Sequence, residues 1–337
     1  MPRILVIRFS SIGDIVLTTP VFRCIKKQLD SVELHFVSKR SYKVVTENNP
    51  YIDKFFYLDD DIPSLVKELK KENYDYVIDL HNNLRSLRIK RALGKKSFSI
   101  NKLNVEKFLL TNLNIDIMPR EHITKRSLDA VSELGVFDDG LGLDYFIPAK
   151  DKVNESDIPT SHLAGFISVV IGATYETKKL PVHKLQELCY KLDHPLMLLG
   201  GKEDYDDGEK IASVDPIKIY NACGKFNLNE SADLVRQSKL VVSHDTGLMH
   251  IAAALQKLII SIWGNTTPVF GMYPYYGSNS TRNYDTVEVN SLRCRPCSKI
   301  GYHQCPLEHF KCMEDQDIDG LVRLINQRLT EISSKKL

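Results

Sequence analysis

The stretch Val241–Leu255 combines residue types that could hold a phosphate group. Its sequence, VVSHDTGLMHIAAAL, starts as a β-branched apolar run typical of a buried parallel strand and continues with apolar residues at helical spacing. Thr246 and Gly247 stand where the helix would begin, and the unsatisfied amides of a helix start carry about half a positive charge. His250 follows Thr246 by four residues and so shares its face of the helix. The pattern indicates an anion site, with simple helix capping by Asp245 as the alternative.

A second polar loop follows the first apolar run of the chain. It reads SSIGD over residues 10–14, directly after the predicted strand Ile4–Phe9. Gly13 would let a substrate approach the backbone closely. Asp14 would project into a cleft from a rigid position, where a carboxylate can act as a general base, or it could cap the next helix.

A third polar loop follows the apolar run Phe166–Ile171. In its sequence GATYETKKLP, Thr174 and Lys178 could meet phosphate oxygens, the lysine as a point charge. Polar loops of this kind are also common on protein surfaces. The chain contains neither G-x-x-x-x-G-K-[ST] nor G-x-G-x-x-G, which argues against a P-loop NTPase and against a standard dinucleotide enzyme.

A cluster of cysteines lies near the end of the chain. Four of the seven cysteines have the spacing Cys294-x2-Cys297-x7-Cys305-x6-Cys312. Thiolates at such spacings can bind a structural zinc ion. Reduced thiols packed in an irregular loop, or a redox-labile pair, are the alternatives. The odd total of cysteines argues against a disulfide framework.

Composition predicts a globular protein of two domains whose surface meets an anion. The chain has 337 residues, of which 43% are hydrophobic and 26% charged, enough for two cores of ordinary size. The net charge is only +2, but residues 81–130 hold eleven Lys/Arg against four Asp/Glu, a local excess of +7. That excess predicts an anionic partner, unless it is a solvated basic face.

No apolar stretch of the sequence approaches the roughly 20 residues of a membrane-spanning helix. We therefore expect a cytoplasmic protein, whose basic stretch permits peripheral contact with the inner membrane surface. We expect no nucleic-acid partner, and the oligomeric state is not indicated.

Apolar runs and amphipathic stretches alternate along the whole chain. This β-α-β-α order predicts an α/β protein with doubly wound parallel sheets covered on both faces. The pattern breaks between residues 135 and 160, where Gly, Pro and charged residues accumulate as in a domain linker. We therefore predict an N-terminal domain at 1–150, a C-terminal domain at 160–315, and a C-terminal helix at 316–337 that could pack back on the N-terminal domain.

Together these segments resemble the ADP-heptose:lipopolysaccharide heptosyltransferases, glycosyltransferase family 9. The matching pieces are ILVIRFSSIGDIVLTTP at 4–20, ATYETKKLP at 173–181, and SHDTGLMHIAAAL at 243–255, followed by WGNTTP at 263–268. They span the chain in the family's order. The resemblance implies the GT-B fold, in which two Rossmann-like domains face a central cleft, the N-terminal one binding the acceptor and the C-terminal one the nucleotide-sugar.

The resemblance also implies an inverting, metal-independent glycosyltransferase that moves heptose from ADP-heptose to a hydroxyl of a lipopolysaccharide inner-core acceptor. No cofactor is required by that chemistry. Asp14 would be the general base, and an anionic glycolipid acceptor would give the basic stretch a purpose. The residues assigned to the donor diphosphate are Thr174, Lys178, Thr246 and Gly247, with Asp245 and His250 near the sugar. The residues assigned to the acceptor are Gly13 and Arg85.

Other functions remain open at this point. A similar fold could serve a transferase that uses another nucleotide-sugar, or a nucleotide-sugar epimerase or hydrolase. A non-catalytic protein that binds a nucleotide-sugar is a further alternative. Release of ADP from ADP-heptose that depends on an acceptor separates transfer from the epimerase, the hydrolase and the non-catalytic protein.

Overall fold

The protein forms two compact α/β units. The computed structural model describes residues 1–278 and 283–334. The first unit comprises Met1–Asn104, Arg120–Phe146 and the described residues between 275 and 281. The second comprises Val105–Pro119, Ile147–Pro274 and the described residues from 283 onward. Among these residues, every helix is too short or too polar to cross a bilayer.

All strands of the described chain run parallel to their neighbours in two sheets. In chain order the strands are β1 Arg3–Ile7, β2 Glu33–Lys39, β3 Lys54–Leu58, β4 Tyr76–Asp79, β5 Lys96–Ser99, β6 Ile167–Val170, β7 Leu196–Leu199, β8 Ile219–Asn221, β9 Leu240–His244, β10 Ile259–Trp263 and β11 Tyr284–Glu288. The α-helices are α1 Ile12–Val16, α2 Thr19–Gln28, α3 Lys43–Thr46, α4 Ile62–Lys70, α5 Leu84–Leu93, α6 Asn104–Leu113, α7 Ile123–Asp129, α8 Val182–Lys191, α9 Tyr205–Ala212, α10 Leu228–Gln237, α11 Gly247–Ala254, α12 Lys311–Glu314 and α13 Ile318–Ser334.

The first unit is built on a five-stranded sheet with the order β3-β2-β1-β4-β5. Its central strand β1 is almost continuously apolar and buried, as expected of a parallel strand covered on both faces. Leu5 and Ile7 of this strand pack with Val77 of β4 in the hydrophobic core. The strand order reverses direction between β1 and β4, so the loops after these two strands leave toward opposite sides and open a crevice between them.

The second unit is built on a six-stranded sheet with the order β11-β10-β9-β6-β7-β8. This is the Rossmann order, and its reversal lies between β6 and β9. The three strands β10, β9 and β6 are therefore neighbours, and their carboxyl ends meet at one edge of the sheet. The two units thus confirm the predicted fold class, an α/β protein with doubly wound parallel sheets.

The final helix packs on the second unit, so the predicted packing on the N-terminal domain is wrong. Four apolar residues of α13 lie in the core beneath the second sheet, namely Ile318, Leu321, Ile325 and Leu329. Arg328 of the same helix binds the carboxylate of Asp285 on β11 through two nitrogens, at 2.6 and 2.7 Å. The amphipathic pattern predicts the helix α13, but it does not indicate which hydrophobic core the apolar face of this helix packs against.

Residues 15–29 form the end of α1 and a separate helix α2, because Pro20 is accepted in a first helical turn but not in a helix interior. Two further features were not predicted from the sequence. The edge strand β11 is half-buried throughout and lacks an apolar run. Val105–Pro119, which carries the unpredicted helix α6, groups with the second unit although it lies within the predicted first domain.

Candidate functional site

The candidate site residues lie in the loops and first helical turns that follow the strands at the two reversals. In the first unit, Asp14 follows β1 and His81 follows β4, so both stand at the reversal between these strands. In the second unit, Lys178 follows β6 and Asp245 follows β9, again on either side of a reversal. Ligands of open parallel sheets bind at such positions. Each unit therefore presents one candidate site.

Asp14 is held in a fixed position by its own helix turn. It lies in the first turn of α1, where the backbone N–H and the hydroxyl of Ser11 donate to Oδ2 at 3.1 and 3.0 Å. The other carboxylate oxygen forms an ion pair with the guanidinium of Arg8. The Asp14 side chain keeps 21% of its surface exposed, so a substrate hydroxyl can reach it.

The ion pair with Arg8 keeps the carboxyl of Asp14 ionised. Burial by itself would raise the pKa of this carboxyl, but the charge of Arg8 and the hydrogen bonds from Ser11 outweigh burial and lower the pKa to about 2. The guanidinium of Arg8 is itself buried and also donates to the carbonyl of Ser10 at 2.9 Å. Asp14 is therefore a carboxylate over the whole physiological pH range.

Aromatic and cationic groups surround the same end of the first sheet. The rings of Phe9 and His81 have their centroids 4.8 Å apart, and the guanidinium of Arg85 lies 5.8 Å from the Phe9 ring. Lys102 donates to the His81 carbonyl at 2.9 Å. Burial, and then the charges of Arg8 and Lys102, lower the pKa of His81 to about 4, so its imidazole is neutral at pH 7. This surface suits an anionic ligand that also offers hydroxyl groups.

A lysine–aspartate pair forms the corner of the second site. The ammonium of Lys178 donates to Oδ2 of Asp245 at 2.6 Å and to the Asp245 carbonyl at 3.3 Å. The hydroxyl of Thr266, in the loop after β10, donates to the same Oδ2 at 3.0 Å. Loops from three neighbouring strands thus converge on one carboxylate.

The other predicted donor residues lie on the same loops. Thr246 is the N-cap residue of α11, Gly247 begins the helix, and His250 is buried one turn later. The Thr246 hydroxyl lies 3.4 Å from that of Ser243 and makes no capping hydrogen bond. Thr174 is exposed in the loop after β6. The helix start is therefore available to an anion, as α11 has eight residues and no acidic side chain in its first turn.

The sequence analysis missed several residues of these sites. Arg8, His81 and Thr266 lie within or beside segments already singled out, but nothing in their spacing indicates which partner each one contacts. His244, which directly precedes Asp245 in the sequence, is a further such residue. Its Nε2 accepts the Leu180 N–H at 2.9 Å, and burial lowers its pKa to about 4. A neutral His244 therefore fixes the end of the Lys178 loop.

The cysteine-rich segment, residues 294–312, contacts the loops after β6 and β10. Arg295 donates to the carbonyls of Gly264 and Thr266 at 2.5 and 2.9 Å. The Thr177 hydroxyl donates to the Tyr302 carbonyl at 3.0 Å and accepts from the Tyr302 N–H at 2.8 Å. The segment holds the loops after β6 and β10 by backbone contacts that need no metal ion.

Among the described residues, no three of the four predicted zinc ligands bring their sulfur atoms within 4.8 Å of one another. Two sulfurs bound to one zinc ion lie at most about 4.6 Å apart. In the described part of the chain, three possible metal-ligand atoms of His, Cys, Asp or Glu lie within 4.8 Å of one another at Glu33, His35 and Glu72. Both of these glutamates form ion pairs with Arg3. Sγ of Cys294 lies 3.8 Å from Nε2 of His309.

Cys312 is a buried thiol. Burial, and then the neighbouring thiols, raise the pKa of Cys312 to about 12. Zinc binding by Cys294, Cys297, Cys305 and Cys312 stays a prediction. Metal analysis of the purified protein checks it, and zinc far below one equivalent would contradict it.

Replacing Gly264 by alanine should destabilise the second unit by about 1–3 kcal/mol. A Cβ at this position would lie 2.8 Å from the backbone oxygen of Thr177, which cannot move aside cheaply. Gly320→Ala is the matched control, because its Cβ would meet flexible, exposed side-chain atoms of Asp317 and Arg323 and no backbone. Thermal unfolding of both variants measures the difference. Equal melting temperatures would contradict the tight contact.

Comparisons with known proteins agree with this arrangement. The profile of glycosyltransferase family 9 (heptosyltransferase) matches residues 62–305. Lipopolysaccharide heptosyltransferase 1 of Campylobacter coli is 25% identical over 293 residues, which cover 78% of this chain and 84% of that protein. The family profile spans well over half of the chain.

Solved structures show the same fold over nearly the full length. The E. coli ADP-heptose lps heptosyltransferase II matches with a TM-score of 0.73 at 17% identity, covering 98% of this chain and 99% of that one. The E. coli heptosyltransferase WaaC with ADP-2-deoxy-2-fluoro heptose matches with a TM-score of 0.69 at 18% identity, covering 96% and 99%. These findings confirm the resemblance seen in the sequence: the chain belongs to glycosyltransferase family 9, the heptosyltransferase family, and is a glycosyltransferase of GT-B fold.

Proposed function

We propose that the protein transfers heptose from ADP-heptose to a hydroxyl of a lipopolysaccharide inner-core acceptor, with inversion of the anomeric centre and without a metal ion. The observation that carries the proposal is the placement of Asp14 and of the Lys178–Asp245 corner at the two strand reversals. The names of the relatives support heptose as the sugar and lipopolysaccharide as the acceptor.

In the proposed step, the acceptor oxygen attacks the anomeric carbon while the bond from that carbon to the diphosphate oxygen breaks. The proton of the acceptor hydroxyl passes to Asp14, and ADP leaves with the bonding electrons. Because the pKa of Asp14 is about 2, the carboxylate removes the proton only once the attacking oxygen has become strongly acidic through bond formation. Proton transfer is therefore late in the step.

The second unit would stabilise the charge of the leaving diphosphate. Lys178 supplies a positive charge, and the first amides of α11, at Gly247, supply hydrogen bonds and the positive end of the helix dipole. Asp245 would repel a diphosphate, so we assign its carboxylate, with His250, to the sugar hydroxyls. Thr246 and Thr174 would complete the phosphate contacts.

On the acceptor side, we propose that the anionic groups of the glycolipid bind the cations near Asp14. Arg85, which lies over the Phe9 ring, is the cation assigned to this role, and Gly13 lets the acceptor approach the backbone of α1. His81 adds a neutral imidazole whose buried Nδ1 has no hydrogen-bond partner among the described residues.

The test is ADP release from ADP-heptose with and without an acceptor. We expect release that depends on a heptose-free inner-core acceptor. Release at the same rate without acceptor would support a hydrolase instead. Conversion of ADP-heptose to another ADP-sugar would support an epimerase, and binding of ADP-heptose without any turnover would support a non-catalytic protein. Turnover with a different ADP-sugar at a higher kcat/KM would overturn the assignment of heptose.

Replacing Arg8 by glutamine should move the acid limb of the pH–kcat/KM profile to higher pH. Arg8 lowers the pKa of Asp14, so removing it leaves burial to raise that pKa, and the carboxylate protonates at a pH where the wild type is still ionised. Arg40→Gln, which removes an exposed ion pair with Asp59, is the matched control. An unchanged limb in Arg8→Gln would mean that Asp14 does not set the profile.

The same ion pair also affects stability with a definite sign. Because the pKa of Asp14 in the folded protein is depressed, its contribution is present above the unfolded pKa and is lost as the pH falls toward about 2.

We also propose that the protein works in the cytoplasm, in peripheral contact with the inner membrane surface. The seven cysteines, all free, fit a reducing compartment.

A further inference from the structure

The cysteine-rich segment binds the loop after β10 through three successive carbonyls. Arg295 donates to the carbonyl of Gly264 at 2.5 Å and to that of Thr266 at 2.9 Å. Between these two residues, the carbonyl of Asn265 accepts the Cys297 N–H at 3.2 Å. The Arg295 side chain is only 9% exposed, and its guanidinium also forms an ion pair with the last residue of β11. The backbone of this loop therefore cannot move without breaking several hydrogen bonds at once.

The same segment binds the loop after β6 at Tyr302. The Tyr302 carbonyl accepts from the N–H and the hydroxyl of Thr177, at 3.2 and 3.0 Å, and the Tyr302 N–H donates to that hydroxyl at 2.8 Å. Thr177 is buried and directly precedes Lys178. Tyr175 of the same loop packs against Gly301, where a Cβ would lie 2.5 Å from the Tyr175 side chain. Contacts with the segment therefore fix the loop that carries Lys178.

A short turn joins these two contact points. It lies within residues 295–302, which we call the bridging segment. The hydroxyl of Ser298 accepts the N–H groups of Ile300 and Gly301 at 3.1 and 3.0 Å. The Tyr302 hydroxyl donates to the Cys297 carbonyl at 3.0 Å and so closes the turn from its other end. The bridging segment is therefore a hydrogen-bonded unit that sets the separation of the loops after β6 and β10.

Both of these loops meet at the donor corner. Lys178 and Thr266 each donate to Oδ2 of Asp245, at 2.6 and 3.0 Å. The sheet does not set the separation of the two loops directly, because β9 lies between β6 and β10. A direct hydrogen bond between the loops, from the Asn265 N–H to the Thr177 carbonyl, is long at 3.5 Å. The geometry around Asp245 therefore depends on the bridging segment.

We propose that the bridging segment positions the donor site for the transfer step, with Arg295 as its main positioning residue. Arg295 acts through Thr266 and Asp245 on the ammonium of Lys178. The place of that ammonium decides how well the charge of the leaving diphosphate is stabilised. This role rests on the proposed function, which gives Lys178 and Asp245 to the donor.

Replacing Arg295 by methionine should lower kcat at least about tenfold and change KM for ADP-heptose less than about threefold, because a misplaced Lys178 affects the transition state more than the bound donor. Acceptor-dependent ADP release measures both constants. Arg295→Lys keeps a cation that can donate to the same carbonyls, so it should recover part of the lost kcat. A smaller loss of kcat, an effect confined to KM, or equal kcat values in the two variants would overturn the proposal.

Arg328→Met is the matched control for a general loss of stability. Arg328 also forms partly buried ion pairs in the second unit, but its partners Asp285 and Glu331 lie on β11 and α13, outside the donor loops. The control should unfold at a lower temperature than the wild type and keep the wild-type kcat while it is folded. If Arg328→Met lost as much kcat as Arg295→Met, the effect of Arg295 would be one of stability alone, and the proposal would be overturned.

A double-mutant cycle tests whether the two ends of the bridging segment act together. Thr177→Val removes the hydroxyl that bonds twice to Tyr302 and keeps the shape of the side chain. If both contacts act through one segment, Arg295→Met/Thr177→Val should lose less kcat than the product of the two single losses. Losses that multiply would show that the two loops are held independently and would overturn the proposal.

The single tryptophan of the chain distinguishes this proposal from the proposed function. Trp263 is buried at the end of β10, directly before Gly264. Without the hydrogen bonds from Arg295 the loop should open more often, so acrylamide should quench the Trp263 fluorescence more strongly in Arg295→Met than in the wild type or Arg328→Met. This measurement needs no substrate. Absence of acceptor-dependent transfer by the wild type would overturn the proposed function, whereas unchanged quenching in Arg295→Met would overturn the role of the bridging segment.

Discussion

Replacing Asp14 by asparagine is expected to lower kcat at least about 100-fold, because general-base catalysis typically contributes about 10²- to 10⁴-fold. The amide keeps the shape of the side chain and can still bond to Ser11, so the turn of α1 should survive. It cannot take the acceptor proton. Acceptor-dependent ADP release measures the rate, and calorimetric titration with ADP should give a dissociation constant close to that of the wild type.

A control variant and the measured ADP affinity test this prediction further. Ser11→Ala removes one hydrogen bond to Asp14 but keeps the carboxylate, so it should retain most of the activity. A rate above a few per cent of the wild type in Asp14→Asn would show that Asp14 is not the base. Loss of ADP affinity in Asp14→Asn would instead indicate that the substitution disturbs the fold beyond the first unit's site.

Replacing Lys178 by alanine should lower kcat/KM by about 10²- to 10³-fold, the usual effect of removing one group that stabilises developing negative charge. Two effects add in this variant. The leaving diphosphate loses a cation, and Asp245 loses the partner that lies 2.6 Å from its carboxylate. ADP should therefore bind more weakly, because the uncompensated carboxylate repels it.

A double variant separates these two effects. Lys178→Ala/Asp245→Asn removes the repulsive charge as well, so it should recover part of the ADP affinity but not the rate of the chemical step. Lys191→Ala is the matched control, because Lys191 pairs with the exposed carboxylates of Glu187 and Asp319 on the surface. If Lys178→Ala and Lys191→Ala had equal kcat/KM values, Lys178 would have no role in the transfer.

The family and the fold were open to prediction because their signals are local. Buried parallel strands such as β1 and β9 appear as short β-branched runs, and the loops after them carry Asp14 and Thr246 at helix starts. The order of strands and helices along the chain then places these loops at sheet edges. Helices α5 and α9 were predicted with the bounds that the structure has.

The partners of these residues could not be predicted from local signals. Lys178 and Asp245 are 67 positions apart in the chain, and they meet only because β6 and β9 are neighbours in the sheet. Strand order is a property of the whole unit, and no residue pattern near Lys178 encodes it. The same holds for Thr266, which follows β10.

The electrostatic state of the site was likewise decided by the tertiary structure. Asp14 could have been a base with an ordinary pKa, but the buried Arg8 beside it lowers that pKa to about 2. The cysteine spacing predicts zinc binding, which stays a prediction, and the contacts of Arg295 and Tyr302 with the loops after β10 and β6 became visible only in the folded segment. Spacing along the chain limits which side chains can come into contact, but it does not determine whether they do.

The sequence by itself determined that this chain has two doubly wound units, that it belongs to glycosyltransferase family 9, and which loops carry the candidate chemistry. Only the tertiary structure decided that Arg8 faces Asp14, that α13 covers the second sheet, and that α6 turns Phe108 to solvent. The physical reason is the range of the forces involved. Helix starts and strand runs follow from neighbours in sequence, whereas burial and ion pairing follow from contacts that form only when distant segments pack.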